Sequence, residues 1–261
     1  MTSHNRTVAS LRLLALLLLT GALLGPYLVA AMTSGGAARR IERLWFGGCC
    51  RLAGVETRPS GTPSAARRTL FVANHISYLD VIALGSLLDA AFVAKAEVAR
   101  WPVIGVLARL ARTEFVRRER VQSGRQASAI AHRLRAGQSI ILFAEATSSD
   151  GGQVLPFKSA LFAAADVPGV TGEVMVQPIT IAYARKRGGA ALGDALRSRY
   201  AWYGNSAFAP HLWSVLGLPG VQIDVYFHEP VAAAAFASRK ALAHHAEHTV
   251  ATGLARARAA A

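Results

Sequence analysis

The sequence predicts an α/β fold: a mixed, largely parallel sheet flanked by helices, with an N-terminal membrane-anchoring helix. Three observations predict it. Residues 13–32 form an apolar stretch without a charge. From residue 69 onward, apolar runs of strand length alternate with helix-length segments. Polar residues suited to chemistry follow directly on two of those runs, where open α/β sheets bind their ligands.

The anchor comes first in the chain. About 20 apolar residues cross the ~30 Å hydrocarbon core of a bilayer, and membrane helices tolerate a proline such as Pro26. A cleaved signal peptide is the rival reading, since the stretch ends in small residues, but its apolar core spans only about 7–15 residues. Arg6 and Arg12 precede the stretch, and Arg39, Arg40, Arg43 and Arg51 follow it. The positive-inside rule then places the remaining chain on the cytoplasmic side of the inner membrane. Residues 41–54 mix Leu44, Trp45 and Phe46 with Arg43 and Arg51. They suit a short helix lying on the membrane or, equally, an amphipathic core helix. The expected division is an anchor with an interfacial helix over 1–54 and a catalytic domain over 55–261.

Residues 55–68, rich in Pro, Ser, Gly and Thr, read as a linker. Strands are predicted at 69–74, 91–95, 113–117, 139–145, 173–183 (interrupted by Pro178) and 221–230. Helices are predicted at 77–89, 100–111, 119–136 with Gly137 as a stop signal, 159–166, and from about 232 to the end.

Charged residues make up 17% of the chain, fewer than a water-soluble domain usually carries, which agrees with an anchor. Lys and Arg number 29 against 15 acidic residues, a net charge of +14 that calls for an anionic partner. No nucleic-acid-binding motif is present. An anionic membrane surface therefore fits best, with a gain of about 1 kcal/mol for each nearby Lys or Arg. Cys49 and Cys50 are adjacent, a poor geometry for a structural disulfide, and no His, Cys or carboxylate spacing suggests a metal site.

The chemistry-bearing residues begin after the first catalytic-domain strand, at Asn74-His75-Ile76-Ser77-Tyr78-Leu79-Asp80. A His at a strand end with a carboxylate five residues on is suited to general base catalysis, the carboxylate fixing the imidazole tautomer. Such a base takes a proton from a hydroxyl that attacks a carbonyl, with no enzyme nucleophile required. Ser77-x-x-Asp80 also reads as a helix cap, in which Asp80 serves only the helix terminus.

The run N-H-x-x-x-x-D is the first motif of the glycerolipid acyltransferases of the lysophosphatidic acid acyltransferase family, which this sequence resembles over residues 40–230. The resemblance implies that His75 is the general base and Asp80 its orienting partner. The family's second motif is similar to Phe115-Val116-Arg117-Arg118, which implies that Arg118 contacts the acceptor. Its third, F-P-E-G-T, looks like Phe143-Ala144-Glu145-Ala146-Thr147, followed by Ser148 where an Arg is frequent. The implied acceptor-binding residues are Glu145, Ala146 and Thr147. Ala146 replaces a Gly, so a positive φ there carries a penalty of about 1 kcal/mol. The missing Arg counts against a phosphate-terminated acceptor.

The stretch 150–162, D-G-x-x-V-L-P-F-K-S-x-L-F, is similar to bacterial members that acylate lyso-ornithine lipid, and makes Lys158 a possible anion-binding residue. Val176-Gln177-Pro178-Ile179 resembles the fourth motif. The aromatics of 200–213, Tyr200, Trp202, Tyr203 and Trp213, suit a core or a lipid interface.

The expected activity is transfer of a fatty acyl group to the free hydroxyl of a lysolipid, lysophosphatidic acid or lyso-ornithine lipid. The expected donor is the thioester of acyl carrier protein or of coenzyme A, with no other cofactor. A non-catalytic lipid-binding protein of the same fold, and a thioesterase-like hydrolase in which His75 activates water, are the alternatives.

Overall fold

The computed structural model describes residues 4–116, 123–165 and 174–261. Helix α1 (Arg6–Thr33) and helix α2 (Gly35–Ala53) form a hairpin turned at Ser34, whose side chain caps α2. The sheet is built from β1 (Val55–Ser60), β2 (Thr69–Ala73), β3 (Ala91–Lys95), β4 (Glu114–Val116), β5 (Ile140–Phe143), β6 (Met175–Lys186), β7 (Val221–Phe227) and β8 (Val231–Ala232). Between them lie α3 (Leu79–Leu87), α4 (Ile104–Leu110), α5 (Ser123–Arg135), α6 (Asp194–Tyr200) and α7 (Phe208–Leu216), and α8 (Arg239–Ala259) closes the chain.

The strand order is β1-β7-β6-β2-β5-β3-β4, with β8 also on β6. Every pairing is parallel except β6 with β7 and β6 with β8. The fold is therefore the mixed, largely parallel α/β sheet that the alternation predicts. β2 is buried along its whole length, Leu70, Phe71, Val72 and Ala73, as a central strand covered on both faces must be. One face packs on α2, α3 and α7 through Phe46, Cys50, Ala83, Leu84 and Val215. The other packs on α5, α8 and a 3-10 turn over Ser159–Ala164 through Ile130, Leu134, Phe162, Ala246 and Val250.

Three expectations need correction. The segment read as a linker contains strand β1, which pairs in parallel with β7 from Val55 opposite Val221 to Ser60 opposite Tyr226. Only Val55 of that strand is buried, so its polar, proline-bearing sequence hides an edge strand. The predicted 159–166 helix is a 3-10 turn over its described part. Pro178 does not interrupt β6. It pairs with Val72, and its carbonyl accepts from the His228 N–H at 3.1 Å. That side of β6 is the gap between β7 and β8, so no ladder bond is lost for want of a proline N–H.

Helix α1 is 28 residues, about 42 Å long. It leaves Leu11, Leu14, Leu18, Leu28 and Met32 exposed in a stripe with helical spacing. Its other face is held to the domain at both ends. Near the start, the Asn5 N–H donates to the Gly217 carbonyl at 3.0 Å, and Arg12 donates to the Leu216 and Leu218 carbonyls at 3.0 and 2.8 Å. Near the finish, the Tyr27 hydroxyl donates to the Leu110 carbonyl. Arg12, a flanking charge by sequence, is thus a docking residue. Helix α2 buries Ala38, Glu42, Phe46, Cys49, Cys50 and Ala53 and exposes Leu44. Burial pushes the two thiols up, Cys49 to about 12 and Cys50 to about 11, so both stay as thiols.

Candidate active site

Strands β2 and β5 are parallel neighbours, so their carboxyl ends deliver the first and third motifs to the same place. Asn74 fixes the first. Its amide donates to the Ile181 carbonyl at 2.9 Å and its side-chain oxygen accepts from the Ile181 N–H at 2.8 Å. These two bonds tie the end of β2 to β6 and set the direction in which the following loop leaves the sheet.

In that loop, His75 Nδ1 lies 2.8 Å from Asp80 Oδ2. A carboxylate oxygen accepts, so Nδ1 carries the proton and Nε2 presents its lone pair away from Asp80. The ring stacks on Phe143, the last residue of β5, with centroids 4.0 Å apart and 18° between planes. The side chain of His75 is 17% exposed and that of Asp80 is fully buried. Asp80 Oδ2 also accepts from the backbone N–H groups of Ile76 at 2.7 Å and Ser77 at 3.0 Å. Oδ1 accepts from the Tyr183 hydroxyl at 2.7 Å. The same oxygen thus ties down the loop backbone and holds the imidazole, while the Ser77 hydroxyl has no hydrogen-bond partner and α3 starts without a side-chain cap.

The third motif closes the site from β5. The Ser149 N–H donates to the His75 carbonyl at 2.9 Å, locking the two loops together. Glu145 is buried; its Oε1 accepts from the Leu155 N–H at 3.2 Å, and Oε2 has no hydrogen-bond partner. Burial pushes this carboxyl up to about 8 against the backbone N–H groups of Leu155 and His75, with the Asp80 charge adding to the rise. At neutral pH it is mainly uncharged, a donor as well as an acceptor.

Ala146 has φ of +60°. Its N–H donates to the Phe143 carbonyl at 3.1 Å, closing the turn that starts the loop. An L-residue is strained there, so Ala146→Gly is expected to raise stability by about 1 kcal/mol. Thermal unfolding in detergent checks this, with a rise of about 2–4 °C expected.

Thr147 is exposed at the rim. The Ser148 hydroxyl donates to the Trp202 carbonyl at 2.5 Å, and the Trp202 N–H donates to the Ile76 carbonyl at 2.9 Å. The Trp202 backbone thus bridges both motifs. Its ring joins Tyr78, Trp101 and Phe208 in a half-buried aromatic cluster. Lys158 donates its backbone N–H to the Ala144 carbonyl at 2.8 Å, beside the motif, while its side chain is exposed. Arg118 lies outside the described residues. Tyr183 was missed by sequence reasoning, and Trp202, read there as a core or lipid-facing aromatic, was not connected to the motifs. Tyr183 sits in an apolar strand 103 residues from Asp80 and Trp202 acts through its backbone, so neither carries a local signal.

The amino-acid sequence matches a known family. A family model described as Acyltransferase fits residues 51–182. A lyso-ornithine lipid O-acyltransferase of Brucella abortus is 42% identical over 220 residues, 82% of this chain and 82% of the relative. The chain belongs to the acyltransferase family. A second relative, the lyso-ornithine lipid O-acyltransferase of Rhodobacter capsulatus, is 35% identical across 91% of this acyltransferase and 90% of its own length. The crystal structure of the 1-acyl-sn-glycerophosphate acyltransferase PlsC from Thermotoga maritima superposes with a TM-score of 0.66. It is 22% identical, over 94% of this acyltransferase and 97% of that chain, and so supports the fold.

Proposed function

We propose that this acyltransferase moves a fatty acyl group from a thioester carrier to the free hydroxyl of lyso-ornithine lipid, with His75 as the general base. The observation that carries the reading is the imidazole fixed on the buried Asp80 carboxylate, with Nε2 left for substrate. The acceptor hydroxyl gives its proton to Nε2 as its oxygen bonds to the thioester carbonyl carbon. When the tetrahedral adduct collapses, the C–S bond breaks and the proton passes to the departing sulfur, leaving an ester and a free thiol. As written, the step needs no cofactor beyond the thioester, carried by acyl carrier protein or coenzyme A.

Two observations support lyso-ornithine lipid over lysophosphatidic acid. Relatives at 42% and 35% identity bear that substrate in their names. Ser148 spends its hydroxyl on Trp202, where a guanidinium would pair with phosphate. Glu145 and Thr147 face the acceptor in this reading, and Arg118 and Lys158 supply positive charge.

The bonds of Arg12 and Tyr27 to the same domain, near opposite ends of α1, support a helix that embeds rather than crosses. In our reading it lies in one leaflet, leucine stripe toward the lipid tails, with α2 beside it at the headgroup level. The loops bearing His75 then work at the cytoplasmic face of the inner membrane, where the lysolipid hydroxyl is presented.

An acceptor panel tests this. Purified protein is given labelled acyl carrier protein or coenzyme A thioesters with lyso-ornithine lipid or lysophosphatidic acid. Lyso-ornithine lipid is expected to be preferred in kcat/KM by at least about tenfold, or roughly 1.4 kcal/mol. Preference for lysophosphatidic acid overturns the acceptor. Binding without turnover supports a lipid-binding protein, and free fatty acid without acceptor supports a hydrolase.

A further inference from the structure

Three of the four donors on Asp80 belong to its own loop: His75, Ile76 and Ser77. The fourth arrives from the middle of the sheet. Tyr183 stands on β6, 1% exposed, and its hydroxyl is the donor to Oδ1. The ring is packed in the main core. Burial, then the adjacent Asp80 charge, push its proton affinity well above that of an ordinary phenol, so it remains a donor at every working pH.

This bond has two consequences. The carboxylate oxygens are tied separately, Oδ2 to the loop and Oδ1 to β6, so the group cannot rotate away from the imidazole. A donor on Oδ1 also draws off negative charge that would otherwise hold the proton on His75. A base that must release its proton to a departing sulfur benefits from that restraint.

We propose that Tyr183 is a positioning residue of the acyl-transfer site, whose buried hydroxyl pins the Asp80 carboxylate and moderates its hold on the His75 proton. The inference rests on the assignment of His75 as base. Among the described residues, Glu145 after β5 lies against Asp80, and Tyr78 of the same loop and Cys50 of α2 lie against Tyr183, with His211 of α7 bonded to Tyr78. Burial favours the uncharged form of each, and Tyr183 is the donor placed on Oδ1.

The test is Tyr183→Phe in the full chain, with two readouts. The first is an NMR titration of the 15N-labelled imidazole, assigned by the signal that His75→Asn removes. The second is the pH profile of kcat/KM. Without the donor, Asp80 holds the proton more strongly. The imidazole midpoint and the acidic limb are then both expected to move up by about one pH unit, and kcat to fall roughly tenfold. A fluorinated tyrosine placed at 183 has a more acidic hydroxyl, donates more strongly, and is expected to move both readouts down. It decides the matter by itself if the Phe variant does not fold.

A variant that loses thermal stability but keeps the wild-type midpoint and limb overturns the proposal, as does a fluorinated enzyme with no shift. The imidazole titration uses no substrate. If no acceptor is acylated by the wild type, the functional reading fails while the titration still tests the Tyr183 link.

Discussion

His75→Ala is expected to lower kcat for acyl transfer by about 10³-fold or more, with the KM for lysolipid changed little. General base catalysis by a positioned side chain supplies about 10²–10⁴-fold, and nothing else in the first motif has a lone pair so placed. Asp80 is enclosed by backbone and by Tyr183, and Glu145, already mainly protonated, is a poor base at neutral pH. The substitution removes a ring that stacks on Phe143 but does not touch the α1 contacts at Arg12 or Tyr27. Membrane association and the folded state should therefore survive, as flotation with vesicles and circular dichroism would show. A purified, folded variant within tenfold of wild type would remove His75 from the mechanism.

Asp80→Asn separates charge from geometry. The carboxylate accepts four hydrogen bonds while fully buried. An amide keeps this geometry in one orientation, with its oxygen toward His75, Ile76 and Ser77 and its NH2 toward Tyr183. The Tyr183 hydroxyl can accept there instead of donating. The fold should persist with a modest loss of stability, yet the imidazolium formed during transfer loses its counter-charge. A fall in kcat on the order of 10³ is expected. Asp80→Ala differs in kind, because it strands three buried donors, at Ile76, Ser77 and Tyr183, at about 1–3 kcal/mol each, besides releasing His75, and should fail to fold. Comparing kcat and thermal unfolding for the two variants checks the distinction. Near-normal turnover in the Asn variant would show that Asp80 only ties down the loop backbone.

What the sequence reveals about this protein follows the range of the interactions involved. The β2 and β5 runs announce themselves because strands buried on both faces must be apolar throughout, and the motifs sit at their carboxyl ends. His75 and Asp80 are legible because their contact spans five residues. Strand β1 is not, since an exposed edge of Glu, Thr, Arg and Pro gains its partner 166 residues away, Val55 meeting Val221. Tyr183 is hidden for the same reason. A tyrosine in an apolar strand looks like core, and only the fold reveals what its hydroxyl reaches. Arg12 has a second role that its place before the apolar stretch does not announce: it ties α1 to the carbonyls that end α7. Ala146 lies between these cases. The sequence posed the question of its φ, and the turn at Phe143 answers it.

The measurement that bears most directly on the mechanism is thiol release from an acyl thioester, followed with and without lysolipid. Direct attack by an acceptor hydroxyl, activated by His75, requires that thiol appear only when lysolipid is present, one molecule for each ester formed. Thiol released at an equal rate without lysolipid, with free fatty acid or an acylated protein accumulating, would mean that water or an enzyme side chain is the nucleophile.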